Sequence, residues 1–198
     1  MANTIKDGTG TGSQAKVNEN NRLYVNGVVI DEDLQATKIG NSYNINTGEL
    51  SLTNDSKTPV LYLKNNEDQP LNITAIIVGL GTSTNGTTTD IARITVERNP
   101  NGGDIISTAS AVDINSNRNF GDSKNLDVDA YKGGTGVTMT GGTDHLFIFQ
   151  DDFGRLSASI DGILPKGSTI GIAIEPPENN TALPCYIALI CHLEDAKE

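Results

Sequence analysis

Apolar and polar residues alternate with a period of two along most of this chain, and helical spacing is nearly absent. In "DIARITVERNP", Ala92, Ile94 and Val96 alternate with Arg93, Thr95 and Glu97, which predicts a strand with one buried and one wet face. "STIGIAIEPP" repeats the pattern, with Ile170, Ile172 and Ile174 on one face and Thr169, Gly171, Ala173 and Glu175 on the other. "LPKG" just before it is a turn that aims the strand. "LNITAIIVGLG" and "LPCYIALICHLE" are apolar almost throughout, which suits strands in the middle of a sheet. "TPVLYLKNN", "HLFIFQ" and "RLSASI" read as further strands, and "RLYVNGVVI" as a hairpin turning at Asn26-Gly27. Helical signal is confined to one or two turns in "EDLQATKI" and another in "SKNLDVDAY". Roughly eight to ten short strands with turn signals between them predict an all-β, antiparallel β-sandwich. Connections of very unequal length favour a jelly roll over a meander.

Two stretches depart from this rhythm. Residues 1–20 are rich in Gly, Thr, Asn and Gln, show no periodicity, and read as a flexible N-terminal arm ahead of a single sandwich domain, 21–198. Residues 99–143 hold only short strand-like patches between "NPNGGD", "NSNRNFGDSKN" and "KGGTGVTMTGG". Long polar loops of this kind are usually functional or decorate a surface.

Charge narrows the partners. With 25 acidic against 14 basic residues the formal net charge is −11, a field that repels phosphate backbones and anionic lipid, so neither nucleic acid nor membrane is expected as a partner. The chain has no run of about 18 apolar residues, so no membrane-spanning segment is expected. "MANTIKDGTGTG" lacks the apolar block of a secretory signal, so synthesis in a cytosol is expected. The glycosylation-like triplets at Asn54, Asn72, Asn85 and Asn179 then read as chance in an Asn/Thr-rich chain. Cys185 and Cys191, six residues apart on one predicted strand, would lie about 20 Å from each other, too far for a disulfide. Both should face the core beside Ile187, Leu189 and Leu193.

Candidate chemistry fails at each motif. Gly79-x-Gly81 follows a strand, but Gly86 comes too late for a dinucleotide fingerprint and a strand, not a helix, follows. Asp113, Asn115, Asn117 and Asn119 are spaced like the opening of a calcium loop, yet Arg118 and Lys124 stand where Gly and Glu are needed. Asp127 and Asp129 form another oxygen-rich pair, and Asp151-Asp152-Phe153-Gly154 reads as a hairpin loop. Cys191 and His192 would point to opposite faces of a strand and cannot share a zinc ion. The stretch with Asp144, His145, Asp151 and Asp152 offers two carboxylates for a glycosidase, but the neighbours Asp151 and Asp152 splay apart, and no Gly-x-Ser-x-Gly elbow supplies a nucleophile. With no Trp, five Tyr (24, 43, 62, 131 and 186) and four Phe, sugar-stacking platforms are scarce. The expectation is a protein without catalytic, metal or cofactor residues, and not an enzyme.

"GTGSQAKVNENNRLYVNG", "NSYNINTG", the "GGT" ahead of a β-run and "GILPKGSTIGIAIEPP" together resemble virion proteins of tailed-bacteriophage heads, of the decoration, auxiliary capsid or head-fibre type. The likeness covers most of residues 10–193, in order and texture, and is weakest over 99–143. It implies a jelly-roll sandwich, commonly a homotrimer, whose N-terminal arm reaches along the major capsid protein or a neighbouring virion subunit. The arm's composition agrees, since a segment that buries so little would order only against a partner. The implied role is to decorate or cement the capsid of a virion. A tail or adaptor component and a lectin-like host-glycan binding module, reading sugar through the 99–143 loops with or without calcium, are the alternatives.

Overall fold

The computed structural model describes residues 4–6, 14–17, 23–24, 32–53, 56–82, 91–107, 110–112, 117–151, 154–178 and 180–193. The chain divides into two compact units, Met1–Asp31 and Glu32–Glu198. In the first, β1 (Thr4–Lys6), β2 (Gln14–Val17) and β3 (Leu23–Tyr24) form a three-stranded antiparallel sheet. Strand pairing therefore begins inside the stretch whose composition reads as a free arm. Backbone hydrogen bonds need no apolar side chains, which is why composition did not announce it. The Asn26-Gly27 turn lies outside the described residues.

The second unit opens with α1 (Glu32–Lys38), as "EDLQATKI" predicts. Glu32 and Asp33 sit at its positive end and Lys38 at its negative end, each matching the helix dipole. It stops in a left-handed glycine, Gly40 at φ 76°, with Asn41 N–H donating to the Ala36 carbonyl (2.8 Å) and Gly40 N–H to that of Thr37 (3.2 Å). Then follow β4 (Ser42–Asn46), β5 (Leu50–Leu52), β6 (Thr58–Asn65), β7 (Leu71–Leu80), β8 (Ile91–Arg98), a short 3-10 turn (Asp104–Ile106), β9 (Ser110–Ala111) and β10 (Val128–Lys132). The series ends with β11 (Thr143–Asp151), β12 (Gly154–Leu164), β13 (Thr169–Glu175) and β14 (Leu183–Leu193).

These strands form two antiparallel sheets, ordered β11-β8-β13-β6-β10-β9 and β12-β7-β14-β4, with β5 also on β14. Numbering the eight principal strands β4, β6, β7, β8, β11, β12, β13 and β14 in chain order gives 1-8-3-6 in one sheet and 2-7-4-5 in the other. That is the wrapped double Greek key of a jelly roll. Between the sheets lie Ile45, Leu61, Leu63, Ile76, Val78, Ile94, Val96, Ile172, Ile174, Ile187 and Leu189, all within one buried cluster. The near-continuously apolar β7 and β14 are interior strands, as their sequences predict.

The 99–142 segment is where pattern and structure part. It leaves β8, crosses the outer face of the six-stranded sheet to supply β10 and β9 beyond β6, and returns to β11 beside β8. Ile105 is fully buried on the way, and Gly171 is bare because Met139 and Pro100 lie against it. Thr95 and Glu97, expected on a wet face, are buried under this cover. "SKNLDVDAY" is not helical: Leu126, Val128 and Ala130 turn inward along the approach to β10. Nor is Asp151–Gly154 a hairpin loop, for β11 pairs with β8 in one sheet and β12 with β7 in the other. Local turn chemistry cannot specify which sheet the next strand joins.

Candidate assembly surface

β11 and β12, which follow each other in sequence, are edge strands of the two sheets, so among the described residues one long side of the sandwich ends in two strands that are each paired on one side alone. Their inward residues Leu146, Ile148, Leu156, Ala158 and Ile160 are only half-buried, and among the described residues no further strand closes the gap between the sheets. On the outward face of β11, Phe149 is 65% exposed and Phe147 lies under the Arg93 guanidinium, 4.5 Å from its ring centre. Arg93 is steadied in turn by Glu175, 3.5 Å away on β13. Natural edge strands usually carry Lys, Pro or a cover against edge pairing. β11, "TDHLFIFQD", has neither Lys nor Pro, and the bulge between Asp144 and Leu146 protects one end of it alone.

At one end of this side lies a cavity of about 430 Å³, floored by Ile73, Val96, Ile160, Leu164 and Ile170. Both flanking strands bulge here, β11 between Asp144 and Leu146 and β12 between Ser159 and Gly162. The two non-glycine residues with positive φ among the described residues, Asn99 (55°) and Asp161 (37°), both line it. Bulges and left-handed side-chain-bearing residues collect where a fold re-aims side chains for a purpose. A second groove, about 540 Å³, runs over Gly79, Gly81 and Gly154 beside Tyr186, Arg155 and Glu49. Gly79 must be glycine, since a Cβ there would stand 1.9 Å from the Tyr186 ring.

The residues singled out by motif are dispersed. Asp144 pairs with Lys57 (3.0 Å), which also holds buried Glu97 (2.7 Å), while His145 lines the cavity instead. Burial alone would lower the Lys57 pKa, but its hydrogen bonds to Glu97 and Asp144 more than reverse this and hold the ammonium above its ordinary value. Asn117 and Asn119 spend their side chains on the backbone: their carbonyl oxygens accept from Asn119 N–H and Gly121 N–H, and their amides donate to the Gly40 and Lys38 carbonyls. Lys124 donates to the Ile39 carbonyl (2.7 Å), so the would-be calcium loop caps α1 with its own cation. Asp113, Asn115, Asp152 and Gly86 lie outside the described residues. Asp129 faces Lys64 across β10 and β6 at 3.8 Å. Among the described residues no three His, Cys, Asp or Glu side chains converge as a metal site would require. None of their helices is long and apolar enough to cross a membrane.

Cys185 and Cys191 are free thiols in the core cluster beside Ile187, Leu189 and Leu193, as alternation predicts, and His192 points the other way, beneath α1. Burial pushes both thiols up to about 12, and burial with the nearby Glu67 carboxylate raises the Tyr43 hydroxyl to about 12. In the unfolded chain these groups titrate near about 8.5 and 10. Above about pH 8.5 the folded state therefore holds more protons than the unfolded one, and stability falls as pH rises toward 12. The urea midpoint is expected to be flat near neutrality and to drop steadily from pH 9 to 11; a level midpoint across that range would contradict the burial of these three groups.

The signal for the edge surface was present in "HLFIFQ", where four consecutive apolar residues break the alternation of a strand with one wet face. What sequence could not supply is that, among the described residues, this strand has a neighbour on one side alone.

No protein-family model matches the chain, and no curated protein matches it. Among solved structures, the Yersinia pseudotuberculosis-derived mitogen (YPM) is similar over 80% of this chain and 91% of its own, at 14% identity and a TM-score of 0.25. Two structures of T=1 particles derived from infectious bursal disease virus, one of a mutant VP2 protein, are similar over 77% of this chain and 40% and 39% of theirs. Their identities are 12% and 9%, and both TM-scores are 0.17. Likenesses this shallow leave function to be argued from the chain itself.

Proposed function

We propose that this chain is a structural protein of a tailed-phage virion, self-associating as a homotrimer and decorating or cementing the capsid. The observation that carries the reading is the open side of the sandwich, where two successive edge strands present half-buried interior residues together with Phe147 and Phe149. An apolar sheet edge of this kind is a template for pairing with another chain, and a protein neighbour is its natural cover. The resemblance of "GILPKGSTIGIAIEPP" and the N-terminal segment to head proteins supports a virion as the place where that neighbour is found. Many copies on a lattice bind together, so each contact can be weak. Enzymatic turnover has no part in this role, and neither does a bound cofactor.

Electron cryomicroscopy of the phage particle is the test. Three-fold density of this sandwich on the head exterior is the expected result. The same density on the tail would move the assignment to a tail or adaptor component. Purified particles that lack the chain altogether would refute a virion role.

A further inference from the structure

Phe120 is 101% exposed, the most exposed of the large apolar residues described. It does not hang from a slack loop. Arg118 N–H donates to the Ser42 carbonyl (2.8 Å), and the Arg118 guanidinium grips Asp33 (2.6 and 2.7 Å) and the Ser42 hydroxyl (3.0 Å). Asp122 N–H closes the turn onto the Asn119 carbonyl at 2.9 Å. The ring is thus held outward by a braced turn, and little ordering remains for a binding partner to impose.

Its position matters as much. Asn117 bridges Tyr43, placing this turn beyond β4, at the edge of the five-stranded sheet opposite β12. Strand register then connects it to the cavity: Ser42 pairs with His192, His192 with Asn72, and Asn72 with Ile163 on the cavity rim. One transverse row of the sheet therefore has an exposed aromatic ring at one end and an open apolar cavity at the other. A cavity of about 150 Å³ already admits benzene, so 430 Å³ has room for a phenyl ring.

We propose that copies of this chain join head to tail, Phe120 of one copy entering the cavity between β11 and β12 of the next. This rests on the self-assembly reading above and names the contact that makes it. Knob and cavity on different patches define a heterologous interface, which builds a ring when its rotation closes and a filament when it carries a rise. Here the two lie at the same level along the strands, so a rotation about an axis parallel to them carries each knob to the next cavity without rise, the arrangement from which a closed ring is built. The Phe147–Phe149 edge flanks the cavity and extends the same contact.

Sedimentation velocity of the full chain at micromolar concentration, alone and with two surface variants, decides this. Phe120→Ser removes the knob; Ile163→Arg obstructs the rim at a site 65% exposed, so neither should unfold the protein, as circular dichroism will verify. Each is expected to weaken subunit association by roughly 30-fold or more, the effect of losing a central aromatic anchor. An equimolar mixture is expected to regain association but stop at a dimer, because one variant contributes an intact cavity and the other an intact knob. A wild-type oligomer that neither variant weakens would overturn the Phe120 contact while leaving self-assembly in place. A wild-type chain that stays monomeric would overturn both.

Discussion

Asn65→Asp is expected to lower the free energy of unfolding by about 4 kcal/mol at pH 7, a large share of the roughly 5–15 kcal/mol that holds a domain together. Asn65 ends β6, is wholly buried, and uses every polar atom it has. Its backbone N–H donates to the Ser168 carbonyl (3.1 Å) and its own carbonyl accepts from Gly167 (2.7 Å). The side-chain amide donates to the Leu164 (2.9 Å) and Gln69 (3.0 Å) carbonyls, and its oxygen accepts from Glu67 N–H (2.9 Å). Leu164 belongs to the opposite sheet, so this one amide ties the two sheets together beside the cavity. A carboxylate of the same shape keeps the Glu67 bond but turns an oxygen on two carbonyls. Each buried acceptor left unpaired costs about 1–3 kcal/mol, and the buried charge adds to that. Facing those carbonyls, the variant carboxyl would have a folded-state pKa above its unfolded value, so the deficit should grow as pH rises from about 4 to 7. Urea unfolding at the two pH values measures it. A loss under about 1 kcal/mol at both would mean that Asn65 is not the staple described.

How much of this was legible beforehand depends on the range of the interaction concerned. Ala92, Ile94 and Val96 could be assigned inward from their alternation alone, and they are in the core. The cysteines followed from the same parity. Thr95 and Glu97 could not be placed, because what buries them is a segment that crosses the sheet from elsewhere in the chain. Leu126, Val128 and Ala130 carry the strand period in "SKNLDVDAY", while the intervening Asp127 and Asp129 suit the solvated face of a helical turn equally well. Pairing was beyond reach for a different reason. β7, β13 and β14 are all Ile/Leu/Val-rich, so nothing local distinguishes β7's partner β14 from β13. The assembly surface shared that fate, since Phe147 and Phe149 are ordinary strand residues until the sheet order leaves them on an edge. Phe120 was the exception in principle: one aromatic ring amid "NSNRN" and "GDSKN" has no local core to join, and that isolation is itself a signal.

Gly133→Ala is expected to cost about 3 kcal/mol, whereas Gly134→Ala, one residue on, should be close to neutral. A Cβ at Gly133 would stand 2.1 Å from the Pro59 carbonyl oxygen and 2.9 Å from its carbon, closer than real Cβ atoms come. Pro59 is in β6, paired with β13 on one side and next to the β10 pairing on the other, so it cannot retreat without breaking the sheet. The covering segment must lift instead, giving up the Gly133 N–H bond to the Val60 carbonyl (3.2 Å) and exposing Ile105. Losing that burial alone is worth about 2 kcal/mol, and overpacking in general costs about 1–3. At Gly134 a Cβ meets nothing within 4 Å. Hydrogen exchange should accordingly rise across 99–142 in the first variant and remain unchanged in the second. The pair distinguishes two views of this long polar stretch: display loops that tolerate either methyl group, or a cover that is part of the fold and admits only one. Equal behaviour of the two variants would favour display loops, the arrangement that the alternative reading of a glycan-binding module requires.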